Sequence, residues 1–410
     1  MFCRSLVVAA ALVGLAGSSG TGLAQIAVSA NDNKVRLIDG KLEVVKSAPA
    51  DTVSVIDLGA NPPKVLAELS DIPNSVVGPP FNVALTPKQE IALVSSNMKI
   101  DPDDPGKTVP DDRVTVIDLT PLAPTLTGRL KSVVGLGKND PPPTPKIIGT
   151  LQVGKGAASI AINKAGTLAL VANRNEGTVS VLTIAGKSVT VAGKVTVGGE
   201  KAGPSGVAIT PDGRTALVTL DADHKIVVLA IEGSTVTLTE RFITAGLRPY
   251  PVDIVKTGEV AVVANVGSTN GDADTVSVID LKAQPPRTVN TISVGMTPES
   301  LKVSPDGKFV AVIVNNGTNL PVKSPLFNAA ARLQVWARNG TQLTKSGELA
   351  VGRWCQGIAW KNDNRTMLLQ CMAEEEISVI RFSGGTGNSL QKVGSIKTKG
   401  GPAGIRTAEP

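Results

Sequence analysis

The sequence is poor in the residue types on which many catalytic and metal sites depend. It has one histidine and three cysteines, and aromatic residues make up 2% of the chain. It contains no histidine cluster, Cys-x-x-Cys pair, Gly-x-Ser-x-Gly elbow or phosphate-binding glycine loop. A zinc site, haem attachment, a histidine-based triad and a P-loop therefore lack support. The single histidine, His224, follows Asp221 and Asp223 in a loop, where we expect a surface residue.

Long apolar runs are also scarce, and the one that occurs lies at the N-terminus. Arg4 precedes an apolar stretch over residues 6–16, and small residues precede a cleavage site after Ala24. The stretch is too short to span a bilayer, and no cysteine follows it for lipid attachment. We therefore expect residues 1–24 to be a signal peptide and the mature chain to be periplasmic or secreted in a bacterium, without a membrane span. A membrane anchor is the alternative.

A short motif that recurs seven times dominates the rest of the chain. Each copy is a brief apolar strand, and most copies run into a turn such as Pro211-Asp-Gly, in which proline presets φ and glycine accepts a positive φ. Most spacings lie near the roughly 40–50 residues of a β-propeller blade. The copies align on Val83, Ile160, Val207, Val252, Leu301, Ile358 and Ile405. The sequence therefore predicts an all-β, seven-bladed propeller that forms a single domain over residues 25–410.

The order of the motifs predicts how the ring closes. The seventh copy lies at the C-terminus, over residues 402–408, while the strands within residues 26–69 have no inner strand of their own. We expect the C-terminal strand to complete the first blade. This pairing joins the two ends of the chain and removes an exposed sheet edge.

Three kinds of repeated segment resemble the YVTN-repeat (YncE-like) β-propeller family. They are the second-strand sequence LVAN at 170–173, the third-strand sequence TVSVIDL at 275–281 and the inner-strand sequence GVAITPDG at 206–213. The resemblance covers nearly the whole mature chain and implies the propeller fold and export. The first position of the family motif is Leu170 or Val262 here, in place of tyrosine. The resemblance implies no catalytic residue.

Long insertions are concentrated on one predicted face of the ring. Loops between second and third strands share that face with the loops that lead into inner strands, and four of them are long. The other face carries short turns and one proline-rich insertion, 120–146. Binding residues concentrate on loops held by a rigid scaffold, although neutral drift is the alternative. The four insertions are 31–51, 97–113, 267–274 and 316–332.

Cationic and aromatic residues gather in the loops that lead into the inner strands, around the predicted channel mouth. Such a mouth suits an anion with a flat or apolar portion, bound by charge-assisted hydrogen bonds and cation–π contacts. The alternative is that the aromatic side chains plug the channel and the cations are solvated. The candidate ligand-binding residues are Phe81, Asn82, Lys155, Lys201, Arg248, Tyr250, Glu299, Arg353, Trp354 and Gln356.

Two acidic loops are the candidate metal sites. Asp101 and Asp103 lie in one insertion, and Asp272 and Asp274 lie in another. Alternating carboxylates offer the hard oxygen ligands that Ca²⁺ prefers, although the spacing lacks the terminal glutamate of an EF-hand. Simple turns are the alternative, and we expect no other cofactor.

The two cysteines of the mature chain are predicted to form a disulfide. Cys355 precedes the last full inner strand, and Cys371 ends the strand that returns after a turn near Asp363. In that hairpin the two cysteines stand opposite each other, where Cβ atoms come close enough for a bond. An oxidising compartment lets such a bond persist.

These features favour an exported binding or scaffold protein that engages an anionic small molecule or a protein partner through its loop-rich face. The net charge of +6 is mixed along the chain, so nucleic acid is a less favoured partner, and we expect a monomer. One alternative is a propeller hydrolase of the lactonase type that uses Glu299 with Arg248 and Arg353. Another is an accessory subunit of a periplasmic redox enzyme.

Overall fold

The chain folds almost entirely into strands, because Val, Ile and Thr segments alternate with turns of Gly, Pro, Asn and Asp. The structure, a computed structural model, describes residues 25–122, 144–385 and 387–408. The predicted signal peptide and most of the 120–146 insertion lie outside these residues. In the part of the chain that is described, no helix is long and apolar enough to span a bilayer.

Seven four-stranded antiparallel sheets form the blades of a propeller, which confirms the predicted fold class. Each inner strand contacts the inner strands of the two neighbouring blades, so that together they surround a central channel. Blades are numbered along the chain, from blade 1, which contains the first strand. The inner strands of blades 1 to 7 are β32 (Gly401–Thr407), β6 (Val83–Leu85), β12 (Ala157–Ile162), β16 (Pro204–Ile209), β20 (Pro249–Ile254), β24 (Pro298–Val303) and β28 (Cys355–Trp360).

The other strands follow outward from the channel in the same blade order. The second strands are β1 (Ile26–Asp32), β7 (Ile91–Ser95), β13 (Leu168–Asn173), β17 (Thr215–Leu220), β21 (Val260–Asn265), β25 (Phe309–Val314) and β29 (Thr366–Cys371). The third strands are β4 (Thr52–Asp57), β10 (Arg113–Asp118), β14 (Thr178–Ala185), β18 (Lys225–Glu232), β22 (Asp274–Asp280), β26 (Ala331–Asn339) and β30 (Glu376–Phe382). The fourth strands are β5 (Lys64–Ser70), β11 (Lys146–Gln152), β15 (Ser188–Thr196), β19 (Thr235–Thr244), β23 (Arg287–Gly295), β27 (Gln342–Val351) and β31 (Leu390–Lys397).

The ring closes through blade 1, as predicted. Strand β32 pairs antiparallel with β1, with Arg406 opposite Val28 and Gly404 opposite Ala30. Blade 1 therefore contains strands from both ends of the chain, in the order β32, β1, β4, β5. The inner strand β32 also contacts β28 of blade 7 and β6 of blade 2, so it links the two blades on either side.

Two of the predicted insertions contain extra hairpins, and a short 3-10 helix, Thr120–Leu122, begins the proline-rich insertion. Strands β2 (Val35–Ile38) and β3 (Lys41–Val44) form a separate two-stranded sheet between the second and third strands of blade 1. Strands β8 (Met98–Ile100) and β9 (Thr108–Pro110) form another at the same point of blade 2. The first hairpin reaches over blade 7 to blade 6, where the Val322 N–H donates to Asp39 at 2.8 Å. We call this side of the ring the loop face. The opposite side, where inner strands turn into second strands, is the turn face.

Aliphatic side chains hold neighbouring blades together. The second strands of blades 3, 5 and 7 are buried along their whole length. Most of the packing is Val, Ile, Leu and Ala, but blades 6 and 7 share an aromatic group in which the Phe382 ring lies 4.8 Å from Phe309 and 6.2 Å from Trp360. Burying each large side chain contributes about 1.5–3 kcal/mol, so the contact between blades is the main source of stability.

Cys355 and Cys371 face each other within blade 7. Cys355 of β28 pairs in register with Cys371 of β29, as the hairpin pattern predicted, and their sulfurs are bonded. Both side chains are buried. The bond fixes the start of β28 next to Trp354 and Arg353 on the loop face.

We expect deletion of residues 401–410 to cause aggregation or failure to accumulate, because blade 1 would lose its inner strand and two sheet edges would be exposed. Size-exclusion chromatography and thermal unfolding measure this. Deletion of residues 409–410 alone is the control, since it leaves β32 whole. A truncated protein that stays monomeric and unfolds at the parent temperature would disprove the role of β32 in closure.

Replacing both cysteines with alanine should lower the free energy of unfolding by about 3 kcal/mol, the value for a loop of this length. Urea unfolding measures the loss. Parent protein treated with a reductant is the matched control and should behave like the variant. Two reactive thiols in the denatured, unreduced parent would show that the bond does not form.

Candidate functional site

The structure divides the ten predicted mouth residues into three groups. Four of them, Arg248, Tyr250, Glu299 and Gln356, meet in one polar cluster at the loop-face end of the channel. Lys155 and Lys201 are exposed in their loops, away from the cluster. The remaining four residues are Phe81, Asn82, Arg353 and Trp354.

Each of these four residues packs against different neighbours. The Phe81 ring is buried under the Arg406 guanidinium, whose carbon lies 4.0 Å from the ring centroid. Asn82 is buried against Gly404, and Arg353 forms an exposed ion pair with Glu374. Trp354 is buried with Val35, Val76, Met372 and Ala403 beneath the β2–β3 hairpin. The hairpin therefore covers the blade 7 side of the mouth.

One buried carboxylate holds two arginines side by side. Asp221, in the loop after β17, accepts from Arg174 Nη2 at 2.7 Å and from Arg248 Nη2 at 3.2 Å, both at Oδ2. The Asp221 side chain is 2% exposed, whereas those of Arg174 and Arg248 are 23% and 39% exposed. The pair thus carries one excess positive charge next to solvent, which suits an anionic or strongly polarised group.

Backbone contacts fix Arg248 in place. Its φ of 54° is in the left-handed region, and its N–H donates to His224 Nδ1 at 3.2 Å. The Arg248 Nη1 donates to the Gly267 carbonyl at 3.2 Å. The single histidine of the chain therefore supports Arg248 from an exposed loop position.

Tyr250 forms a wall of the cluster. Its ring centroid lies 5.5 Å from the Arg174 guanidinium carbon, and its carbonyl accepts from Thr219 Oγ1 at 2.7 Å. Burial raises the pKa of the Tyr250 phenol, against the opposing effect of Arg174. The phenol is therefore protonated at neutral pH and is a potential hydrogen-bond donor.

Glu299 has a pKa far from the ordinary value of a glutamate. Gln356 Nε2 donates to its Oε1 at 3.3 Å, and Asn315 Nδ2 donates to its Oε2. Burial outweighs these hydrogen bonds and the nearby Arg248, and it raises the pKa of Glu299 to about 7. The side chain keeps some contact with solvent. A carboxyl group with this pKa can accept and return a proton at neutral pH.

Strand pairing explains why these residues meet. Tyr250, Glu299 and Gln356 occupy equivalent positions near the loop-face ends of the inner strands β20, β24 and β28. Each follows directly after the first residue of its inner strand that pairs with the second strand of the same blade. Neighbouring blades therefore bring the three side chains to the same level of the channel. We call Arg174, Asp221, Arg248, Tyr250 and Glu299 the arginine–glutamate cluster.

Sequence reasoning missed Arg174, Asp221 and Asn315. Each is the first residue after a second strand, in blades 3, 4 and 6 respectively. A polar residue directly after a buried strand end was the available signal. Alignment of the second strands, in addition to the inner strands, would have found these positions.

The two acidic loops do not gather a cluster of metal ligands. Asp101 Oδ1 accepts the Asp103 N–H at 3.0 Å, and Asp274 Oδ2 accepts the Thr297 N–H at 2.8 Å. Asp272 accepts from the Asn270 amide at 2.8 Å. Within residues 25–122, 144–385 and 387–408, no three His, Cys, Asp or Glu side chains are arranged to hold a metal ion.

The chain is similar to seven-bladed lactonase propellers over part of its length. The family model described as lactonase, 7-bladed beta-propeller, matches residues 137–248. This segment contains Arg174, Asp221 and Arg248, but it ends before Tyr250 and Glu299. The search of curated proteins found no match.

Solved propellers share the fold at low sequence identity. The periplasmic gluconolactonase of Pseudomonas aeruginosa is 17% identical, with a TM-score of 0.65 over 94% of this chain and 99% of that one. A candidate 6-phosphogluconolactonase from Bacteroides fragilis is 13% identical, with a TM-score of 0.66 over 95% and 99%. A chain of Kuenenia stuttgartiensis hydrazine synthase is 19% identical, with a TM-score of 0.59 over 81% and 90%. These similarities show the fold alone.

The raised pKa of Glu299 predicts a pH-dependent stability. Its folded-state pKa of about 7 exceeds the unfolded value of about 4.5, so its contribution is fully present below pH 4.5 and is lost as pH rises through 7. Relative to Glu299→Gln, the parent should lose up to about 3 kcal/mol of unfolding free energy between pH 4.5 and 8. Urea unfolding of both proteins across this range measures the difference. A difference that does not change with pH would contradict the assigned pKa.

Proposed function

We propose that the protein is a hydrolase of sugar lactones that acts at the arginine–glutamate cluster. The observation that carries this proposal is the Glu299 carboxyl group, whose pKa of about 7 is maintained beside a pair of arginines at the channel mouth. The partial match to lactonase propellers and the shared fold of a gluconolactonase support it. The arginine pair here is Arg174 and Arg248, because Arg353 is engaged with Glu374.

The cluster provides the groups that lactone hydrolysis requires. Ionised Glu299 takes a proton from a water molecule, whose oxygen attacks the ring carbonyl carbon. Charge develops on the carbonyl oxygen, where the guanidinium groups of Arg174 and Arg248 stabilise it. The ring C–O bond then breaks, and the departing alkoxide takes the proton from Glu299. This transfer returns Glu299 to its ionised form, and the product is a hydroxy acid that loses its own carboxyl proton to solvent.

The neighbouring residues set the properties of these groups. Asn315 and Gln356 fix the two Glu299 oxygens by donating a hydrogen bond to each. Asp221 keeps the two guanidinium groups together, although they carry like charges. Tyr250 offers an apolar ring face and a protonated phenol beside the arginines. An anionic substituent on the lactone would also favour binding next to this pair.

A non-catalytic binding function is the second candidate, and the long insertions on the loop face favour it. The two hairpins and the 316–332 segment enlarge the surface around the mouth. In that case the arginine pair would bind an anionic ligand or partner without turnover. We further propose that the chain acts in an oxidising compartment outside the cytoplasm, a proposal that the Cys355–Cys371 bond supports.

Hydrolysis of glucono-1,5-lactone tests the proposal. The rate of proton release is measured and compared with the rate of spontaneous hydrolysis. Glu299→Gln should lower kcat/KM by about 100-fold or more, because the general base is lost. Parent kcat/KM should fall as pH decreases through about 7, where Glu299 becomes protonated.

Lys201→Met is the control, since it removes an exposed cation of the same face outside the cluster. It should leave kcat/KM unchanged. The hydrolase proposal would be refuted if the parent protein hydrolysed no sugar lactone faster than buffer alone does. A fully active Glu299→Gln variant would also refute it. Saturable lactone binding without turnover would favour the binding function.

A further inference from the structure

A buried aspartate of blade 1 occupies a ring position that the arginine–glutamate cluster also uses. Asn31 is the last residue of β1 that pairs with β4, and Asn173 is the last residue of β13 that pairs with β14. The next residues along the chain, Asp32 and Arg174, therefore correspond. Asp32 is 1% exposed, and the proposed hydrolysis gives it no part. Its contacts lead instead towards Glu299.

Lys34 holds Asp32 so that its second carboxylate oxygen meets a backbone N–H. Asp32 Oδ1 accepts the Lys34 N–H at 2.8 Å and lies 3.1 Å from Lys34 Nζ. The Lys34 ammonium also donates to Asp51 at 2.8 Å and to the Asn74 carbonyl. Asp32 Oδ2 accepts the Val76 N–H at 2.8 Å. The segment that leads from blade 1 into the inner strand of blade 2 is thus fixed at Val76.

The carbonyl group of Val76 determines which end of the Gln356 amide faces Glu299. Gln356 Nε2 donates to this carbonyl at 3.2 Å and to Glu299 Oε1 at 3.3 Å. An amide nitrogen has two N–H donors, whereas the amide oxygen only accepts. If the amide were turned over, its oxygen would face both the Val76 carbonyl and the carboxylate, and both hydrogen bonds would be lost. A fixed Val76 peptide therefore keeps the donating end of Gln356 on Glu299.

The hydrogen bond from Gln356 opposes the effect of burial on Glu299. Burial raises the pKa of Glu299, while the hydrogen bonds and Arg248 lower it. The Gln356 bond favours the ionised form, so its loss would raise the pKa further. The other groups that face this carboxyl group are the Asn315 amide, the Trp354 indole, the Arg248 guanidinium and the Tyr250 phenol.

We propose that Asp32 is a positioning residue for Glu299, because it holds the Val76 peptide that keeps the Gln356 amide donating to the Glu299 carboxylate. Blade 1 thereby supports a residue of blade 6 through blade 7. The value of this support for catalysis rests on the proposed function, whereas the contacts do not. The charge of Asp32 acts the other way, since a second carboxylate disfavours ionisation of Glu299. Loss of positioning and loss of charge therefore shift the Glu299 pKa in opposite directions.

Asp32→Asn tests the proposal, because it keeps the size of the side chain. The single oxygen of asparagine should turn to the Lys34 ammonium, which leaves an NH2 group against the Val76 N–H and breaks that contact. We expect the midpoint of the Glu299 titration to rise by about one pH unit, the shift for losing a hydrogen bond to the charged form.

Urea unfolding from about pH 4.5 to about pH 9 measures this midpoint. Asp32→Asn is compared with the Asp32→Asn, Glu299→Gln double variant, and the parent is compared with Glu299→Gln. The difference within each pair isolates the titration of Glu299, because the general loss of stability caused by Asp32→Asn cancels.

Gln356→Met shows whether Asp32 acts through the amide. This change removes the donor itself and should raise the midpoint by a similar amount. In the Gln356→Met background, Asp32→Asn should cause no further rise, because the contact through which it acts is already gone. A full additional rise in that background would disprove the route through Gln356.

Asp51→Asn is the matched control, because Asp51 also contacts Lys34 but accepts the Asn33 and Asn74 N–H groups in place of Val76. It should not raise the midpoint. An unchanged or lowered midpoint in Asp32→Asn, or an equal rise in Asp51→Asn, would overturn the proposal. If Asp32→Asn does not fold, Gln356→Met decides, since an unchanged midpoint there overturns the proposal and a raised one supports it. No measurement uses a lactone, so this proposal and the proposed hydrolase can fail separately.

Discussion

The pairing of β32 with β1 is the constraint on which the rest of the structure depends. A propeller blade buries both faces against its neighbours, so an incomplete ring would leave two apolar blade faces and unpaired strand edges in water. The pairing joins strands from the two ends of the chain through ordinary ladder hydrogen bonds. Once the ring is closed, the seven inner strands are held at fixed positions around the channel.

A closed ring of similar blades gives different chemistry to its two ends. Each inner strand begins at the loop face and ends at the turn face. Different register positions of the strand therefore lie at the two ends of the channel. At the loop face these positions hold Tyr250, Glu299 and Gln356. At the turn face they hold alanines on one side and Asp253, Lys302 and Arg406 on the other. A repeated backbone thus places different side chains at the two ends of the channel.

Burial, rather than any one hydrogen bond, determines the character of the loop-face cluster. Glu299 accepts hydrogen bonds from two amides and lies near Arg248, all of which favour its ionised form. Desolvation nevertheless raises its pKa to about 7. Asp221 differs in its contacts, because two arginines donate to one of its oxygens. The two acids therefore have different surroundings, since Asp221 is the counter-ion of two arginines and Glu299 is held by two amides.

The sequence by itself determined the seven blades, the closure and the cysteine register. These features depend on local strand periodicity, turn chemistry and the count of inner strands, all of which are readable along the chain. It also indicated that Arg248, Tyr250 and Glu299 lie at the loop face. Only the tertiary structure brought Arg174, Asp221 and Asn315 to them, and separated Lys155, Lys201 and Arg353 from them. The reason is physical: distances between blades and the desolvation of Glu299 arise from packing around the whole ring.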